Sequence, residues 1–188
     1  MAIDWDQAYD SGRNYKLINV LHLRDILTAA SIKPGARVLD AGCGTGDLAC
    51  KLAIEGMQVT GVDLSKSAIA QAQSTPSKVS KVAFKQLDIE HEEIEGKYDA
   101  IFLKLVVAFI EDLKEVLLKM KQALKSDGKI IIITPVRPGE ADYSPKYRNI
   151  SVDYEEFGDL LSSVFDNVSE QNVDYSDEYG KEVTFIVS

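Results

Sequence analysis

The sequence predicts an α/β fold: a doubly wound sheet of seven strands, mostly parallel, with helices on both faces and an antiparallel hairpin at the C-terminal end. Three observations predict it. Short β-branched runs alternate with helical patterns between residues 36 and 134, the rhythm of βαβ units. The run KIIIIT at 129–134 is apolar without alternation, which suits a parallel strand covered on both faces. Beyond residue 165 the rhythm changes, and NVSEQNVDYS and KEVTFIVS read as two strands joined by a turn around Gly180.

The elements follow in order. Residues 14–31 read as a helix with Val20, Leu23, Leu27 and Ala30 on one face, and Pro34 and Gly35 then turn the chain into the sheet. ARVLDA (36–41) is the first strand, and GDLACKLAIEG (46–56) is a helix burying Leu48, Ala49, Leu52 and Ala53. QVTGVD (58–63) is a strand, and SKSAIAQAQS (65–74) is a helix with Ser65 as its N-cap. KVAFKQLD (81–88) and YDAIFLKLV (98–106) are further strands. The clearest helix spans 111–128. Leu113, Val116, Leu117, Met120 and Leu124 share one face, and Gly128 is the expected stop. A last helix at 153–165 opens with a capping-box-like Asp153 and Glu156.

At 188 residues the chain suits one domain, and 45% hydrophobic with 27% charged residues is ordinary for a globular protein. A net charge of −9 with scattered lysines argues against a nucleic-acid partner. No apolar run approaches a membrane span, and the polar, acidic first 16 residues do not read as a signal peptide. The two cysteines, Cys43 and Cys50, fit no metal or redox spacing, and a reducing, cytoplasmic compartment is expected. His22 and His91 are read as surface or packing residues, and no metal site is expected.

The segment VLDAGCGTGD (38–47) follows the first strand and opens a helix, the place where α/β sheets bind ligands. Glycines there expose backbone to a ligand. Gly42, Gly44 and Gly46 form GxGxG rather than the dinucleotide pattern GxGxxG, and Asp47-Leu48 replaces the Lys-Ser or Lys-Thr of a phosphate loop. Asp40 and Asp47 would repel a pyrophosphate and welcome a ligand carrying an ammonium and a positive sulfur. Asp63, at the end of the second strand, stands where an acid binds a ribose diol, and Asp88 ends the third strand.

Four segments in order, VLDAGCGTG (38–46), VTGVDLS (59–65), FKQLDIE (84–90) and the stretch 98–133, resemble the class I S-adenosylmethionine-dependent methyltransferases, in their small-molecule branch. The resemblance implies a Rossmann-like fold and S-adenosylmethionine as cofactor. It implies that Asp40 and the glycine loop of Gly42, Cys43, Gly44 and Gly46 hold the methionine end. Asp63 would take the ribose hydroxyls, and Leu64 would pack on the adenine. Asp88 and the N–H of Ile89 would read the adenine edge, and the Lys104 backbone would meet the methionine amino group. It further implies a core at 36–134, flanked by an N-terminal cap at 1–33 and by a lid loop, helix and hairpin at 135–188.

The chain departs from the enzymes that methylate exocyclic amines of DNA bases or glutamine amides. They carry an Asn/Asp-Pro-Pro-aromatic signature where this chain has LKLVVAF (103–109). Ala108 and Phe109 stand where other small-molecule members have polar or histidine residues, which removes a candidate base and suggests an apolar wall. No catalytic residue is assigned, since displacement at a sulfonium relies mainly on alignment and exclusion of water. Trp5, Tyr9, Arg13 and Tyr15, with Tyr143 in the segment 135–149, are the expected walls of the acceptor pocket. Trp5 and Tyr9 could equally staple the first helix to the sheet. The expected function is methyl transfer to a small molecule. The rivals are a module that binds the cofactor without transfer and an NAD-dependent oxidoreductase.

Overall fold

The computed structural model describes residues 3–12, 17–74, 81–137, 150–172 and 181–188. In chain order these form α1 (Trp5–Asp10), α2 (Val20–Ala29), β1 (Arg37–Ala41), α3 (Asp47–Ile54), β2 (Gln58–Asp63), α4 (Lys66–Ser74), β3 (Val82–Gln86) and β4 (Tyr98–Lys104). A short 3-10 turn at Val107–Phe109 precedes α5 (Leu113–Ala123), β5 (Leu124–Arg137), β6 (Val152–Asp153), α6 (Tyr154–Val164), β7 (Val168–Asn172) and β8 (Lys181–Val187).

The strands lie in the order β3-β2-β1-β4-β5-β8-β7. The first five are parallel, and β8 runs antiparallel to both β5 and β7. The order reverses between β1 and β4, which places a crevice at the carboxyl ends of those strands. Alternation along each central strand builds two cores. Ile101 and Leu103 of β4 with Ile130 and Ile132 of β5 face α5 and α6. Ala100, Phe102, Ile131 and Ile133 face α2 and α3. A strand buried on both faces has no polar side to show, which is why IIII appears in β5.

The expected seven strands are present, and the two-residue β6 is an addition, pairing with the end of β5 through Val136 and Val152. It is too short to carry a hydrophobic pattern. The expected helix 14–31 is shorter. Asn19 caps it by accepting from the Leu21 N–H, so Val20 lies at its exposed start, while His22, Leu23, Ile26 and Leu27 are buried. α1 was absent from the sequence reading. Asp4 caps its N-terminus by accepting from the Gln7 N–H.

The helix expected to stop at Gly128 ends at Ala123 instead. From Leu124 the chain already pairs with Tyr98 of β4, and the register shifts before Lys129 meets Ala100. Gly128 serves that passage: a Cβ there would lie 3.0 Å from the Tyr98 carbonyl oxygen and from Leu124. The turn expected around Gly180 lies outside the described residues.

Candidate active site

The carboxyl ends of β1, β2 and β4 open into a cleft. Its floor is the loop between β1 and α3. Gly42 and Cys43 both donate their N–H to the Val62 carbonyl (2.8 and 2.9 Å), which ties the loop to β2. Gly42, Gly44 and Gly46 all have positive φ, at 75°, 53° and 85°, a conformation glycine adopts without steric cost. Each also meets a protein neighbour. A Cβ would come within 2.3 Å of Val106 at Gly42, 2.8 Å of the Tyr9 hydroxyl at Gly44 and 2.5 Å of Phe84 at Gly46. Gly42 and Gly44 line the cleft, whereas Gly46 packs on Phe84 and is not in the lining. Burial pushes the Cys43 thiol far up, so this cysteine is a small packed residue, with its sulfur 3.1 Å from where a Cβ on Gly61 would lie.

Asp63 closes β2 and is 8% exposed. Its Oδ2 accepts from the Gly44 N–H at 2.8 Å and its Oδ1 from the Ser65 N–H at 2.9 Å. Burial raises its pKa, and those two N–H groups oppose the rise. A carboxylate with one bond on each oxygen keeps further lone pairs for a ligand. Asp40 is 1% exposed, and its Oδ2 has no hydrogen-bond partner among the described residues. Burial pushes its carboxyl up to about 7, the nearby Lys104 ammonium opposing and Asp63 adding to the rise. A buried oxygen without a partner costs on the order of 1–3 kcal/mol, and a cationic ligand would relieve it.

Asp88 lies two residues beyond the end of β3 rather than on it. Its Oδ1 accepts from the N–H groups of Glu90 (2.9 Å) and His91 (3.3 Å), and its Oδ2 meets His91 Nδ1 at 2.8 Å. Partial burial would raise its pKa, but His91 and these N–H groups outweigh that and hold it below the usual carboxylate value. The pairing in turn raises the pKa of the exposed His91. Asp88, Ile89 and the half-exposed Leu64 all line the cleft, as do Lys104 and Leu105 at the end of β4. Leu105 is held at φ +59° with its N–H on the Ile133 carbonyl (2.8 Å). A left-handed leucine costs about 1 kcal/mol or more, a form of strain that gathers at functional sites.

α1 lies across the opening. Trp5 meets Phe109 edge-on at 4.9 Å, on the β4 side of the cleft. On the β2 side, Asp6 accepts from Ser65 Oγ (2.6 Å) and from the Ser67 N–H (3.1 Å), and the Gln71 side chain donates to the Tyr9 carbonyl (3.2 Å). Trp5 and Tyr9 thus line the cleft, and they also pack α1 down. Arg13, Tyr15 and Tyr143 lie outside the described residues. Asp6, Glu90, Val106 and Ile110 were missed from the sequence. Asp6 bonds to a residue 59 positions away, and no local pattern signals that.

This arrangement defines a Rossmann-like methyltransferase fold with a cleft at its topological switch point. A family model described as a methyltransferase domain matches residues 32–182, and the chain belongs to that family. It is similar to the ubiquinone biosynthesis O-methyltransferase of Rickettsia typhi, 34% identical over 106 residues, 56% of this chain and 43% of that one. It is also similar to the trans-aconitate 2-methyltransferase of Deinococcus radiodurans, 27% identical over 120 residues, 64% of this chain and 46% of that one. The chain spans about half the length of the curated relatives it matches. Among solved structures, the magnesium protoporphyrin IX methyltransferase of Synechocystis with bound SAH matches with a TM-score of 0.74 at 18% identity, over 96% of this chain and 94% of that one. That likeness bears on the fold alone. No described helix is long and apolar enough to cross a membrane.

Proposed function

We propose that residues 1–188 act as one S-adenosylmethionine-dependent methyltransferase domain, working in the cytoplasm on a small, non-nucleic-acid acceptor. The observation that carries this reading is Asp40: a buried carboxylate, one oxygen without a partner among the described residues, beside a glycine loop at the switch point. Such a group suits a ligand that brings its own positive charge, and it disfavours the pyrophosphate of NAD.

The residues present fit that cofactor. Asp40 and the backbone of Gly42, Cys43 and Gly44 would hold the methionine end, with Lys104 contributing backbone. Asp63 has lone pairs left for two ribose hydroxyls. Leu64 offers an apolar face to the adenine, and Asp88 with the Ile89 N–H offers an acceptor and a donor to its edge. The bound cofactor would supply an activated methyl on a positive sulfur. Trp5, Tyr9, Val106 and Phe109 would orient an acceptor with an apolar body and keep water from the reacting atoms.

Calorimetry with S-adenosylhomocysteine and NAD tests the cofactor. Binding of the former alone is expected, and binding of NAD alone would sink the reading. Transfer of tritiated methyl into acceptor pools tests the chemistry. Tight cofactor binding with no transfer to any pool would leave a binding module.

A further inference from the structure

The turn after β3 is held from outside by a lysine. Lys119 of α5 is partly buried, and its Nζ donates to three backbone carbonyls, those of Ile89 (3.1 Å), Glu90 (2.9 Å) and Glu92 (3.1 Å). An ammonium has three N–H donors, and all three converge on one turn. The other bonds of that turn are mostly internal. The Asp88 carboxylate accepts from Glu90 and His91, the Asp88 N–H donates to Glu92 Oε1 (2.8 Å), and the Glu92 N–H donates to the Asp88 carbonyl (2.8 Å). They set the shape of the turn but not its place over the cleft. Its root is anchored by the core burial of Leu87 and Ile89 and by the Leu87 N–H on the Asp63 carbonyl (3.0 Å), and beyond that root its polar ties among the described residues are Lys119 and the Glu111 N–H on Glu90 Oε2 (2.9 Å).

We infer that Lys119 is a positioning residue for nucleobase selection: by clamping the Ile89–Glu92 carbonyls it holds the Asp88–Ile89 edge where a 6-aminopurine can meet it. The inference rests on the cofactor reading above. A carboxylate beside an N–H complements an amino group next to an unprotonated ring nitrogen. A 6-oxopurine presents the opposite pattern, an acceptor next to an N–H, and is rejected only while the edge stays at hydrogen-bond distance. A charged donor serving three carbonyls is a strong tie, and removing it lets the edge drift without touching the ligand.

The test titrates wild type, Lys119→Met and Lys119→Arg with S-adenosylhomocysteine and with S-inosylhomocysteine. Wild type is expected to prefer the adenosyl ligand. In Lys119→Met, adenosyl affinity should fall about tenfold with the inosyl ligand unchanged, so the preference falls by the same factor. Lys119→Arg should restore most of it. An unchanged preference in Lys119→Met overturns the inference, as does equal weakening of both ligands with a lower melting temperature. If neither variant folds, Lys119 supports the domain rather than the turn, and the inference is likewise overturned. Wild type that binds neither ligand would instead remove the cofactor reading itself.

Discussion

Asp40 and Asp63 close neighbouring strands, β1 and β2, and both are almost fully buried, yet the protein treats them differently. Asp63 is engaged on both oxygens by backbone N–H groups, one from the glycine loop and one from the start of α4. Asp40 leaves Oδ2 without a partner among the described residues, and its pKa rises to about 7. The first carboxylate is part of the architecture before any ligand arrives. The second carries an unmet demand that only a ligand, a proton or a water can answer. Two acids that look alike in sequence thus divide the labour, one holding the loop and the other waiting for charge.

Replacing Asp63 should have the largest effect. Asp63→Ala frees the Gly44 and Ser65 N–H groups inside the protein, and urea denaturation should show a loss of about 2–4 kcal/mol. S-adenosylhomocysteine binding should fall below detection in the same protein. An unchanged urea midpoint would remove the architectural role. Asp40→Asn should invert the pattern. Calorimetry should show ligand affinity falling by roughly tenfold to a hundredfold, as when a charged partner is lost, while stability above pH 7 holds or rises. A large stability loss there would make the two carboxylates equivalent.

The pH dependence sharpens the same contrast. The Asp40 carboxyl titrates near 3.8 when unfolded and at about 7 when folded, so the folded state binds its proton more tightly. Its contribution to stability is full below about pH 3.8 and lost as pH rises through about 7. Denaturant titrations should show this decline between those values and a flatter profile in Asp40→Asn. Affinity for S-adenosylhomocysteine should rise over the same interval, because its ammonium favours the ionised carboxylate. The smallest effect belongs to the rim. Asp6→Ala, which removes the bonds from Ser65 and Ser67, should cost about 1 kcal/mol by thermal melting and speed ligand dissociation in stopped flow.

The strands and their terminal acids were legible because burial on two faces leaves a local mark. The unbroken isoleucine run at 130–133 is one such mark, and Asp40 at the end of the first strand with Gly42, Gly44 and Gly46 after it is another. The division between Asp40 and Asp63 was not legible, since it depends on which N–H groups the folded loop turns toward each carboxylate. Nor were the protein neighbours of Gly42 and Gly46 legible, since Val106 and Phe84 arrive from other strands and loops. The end of α5 was misplaced because Leu124 continues the helical spacing while the sheet claims it at Tyr98. α1 has six residues, too few for a periodic pattern, and it is held by contacts across the fold.

That short helix bears on timing rather than affinity. It reaches both banks of the cleft, through Trp5 on Phe109 and Asp6 on Ser65. Wide opening of the cleft therefore requires both moorings to part together. Under the proposed function, spent cofactor would leave no faster than α1 undocks, and the residence time of the helix that carries Trp5 and Tyr9 would cap the turnover rate of the enzyme.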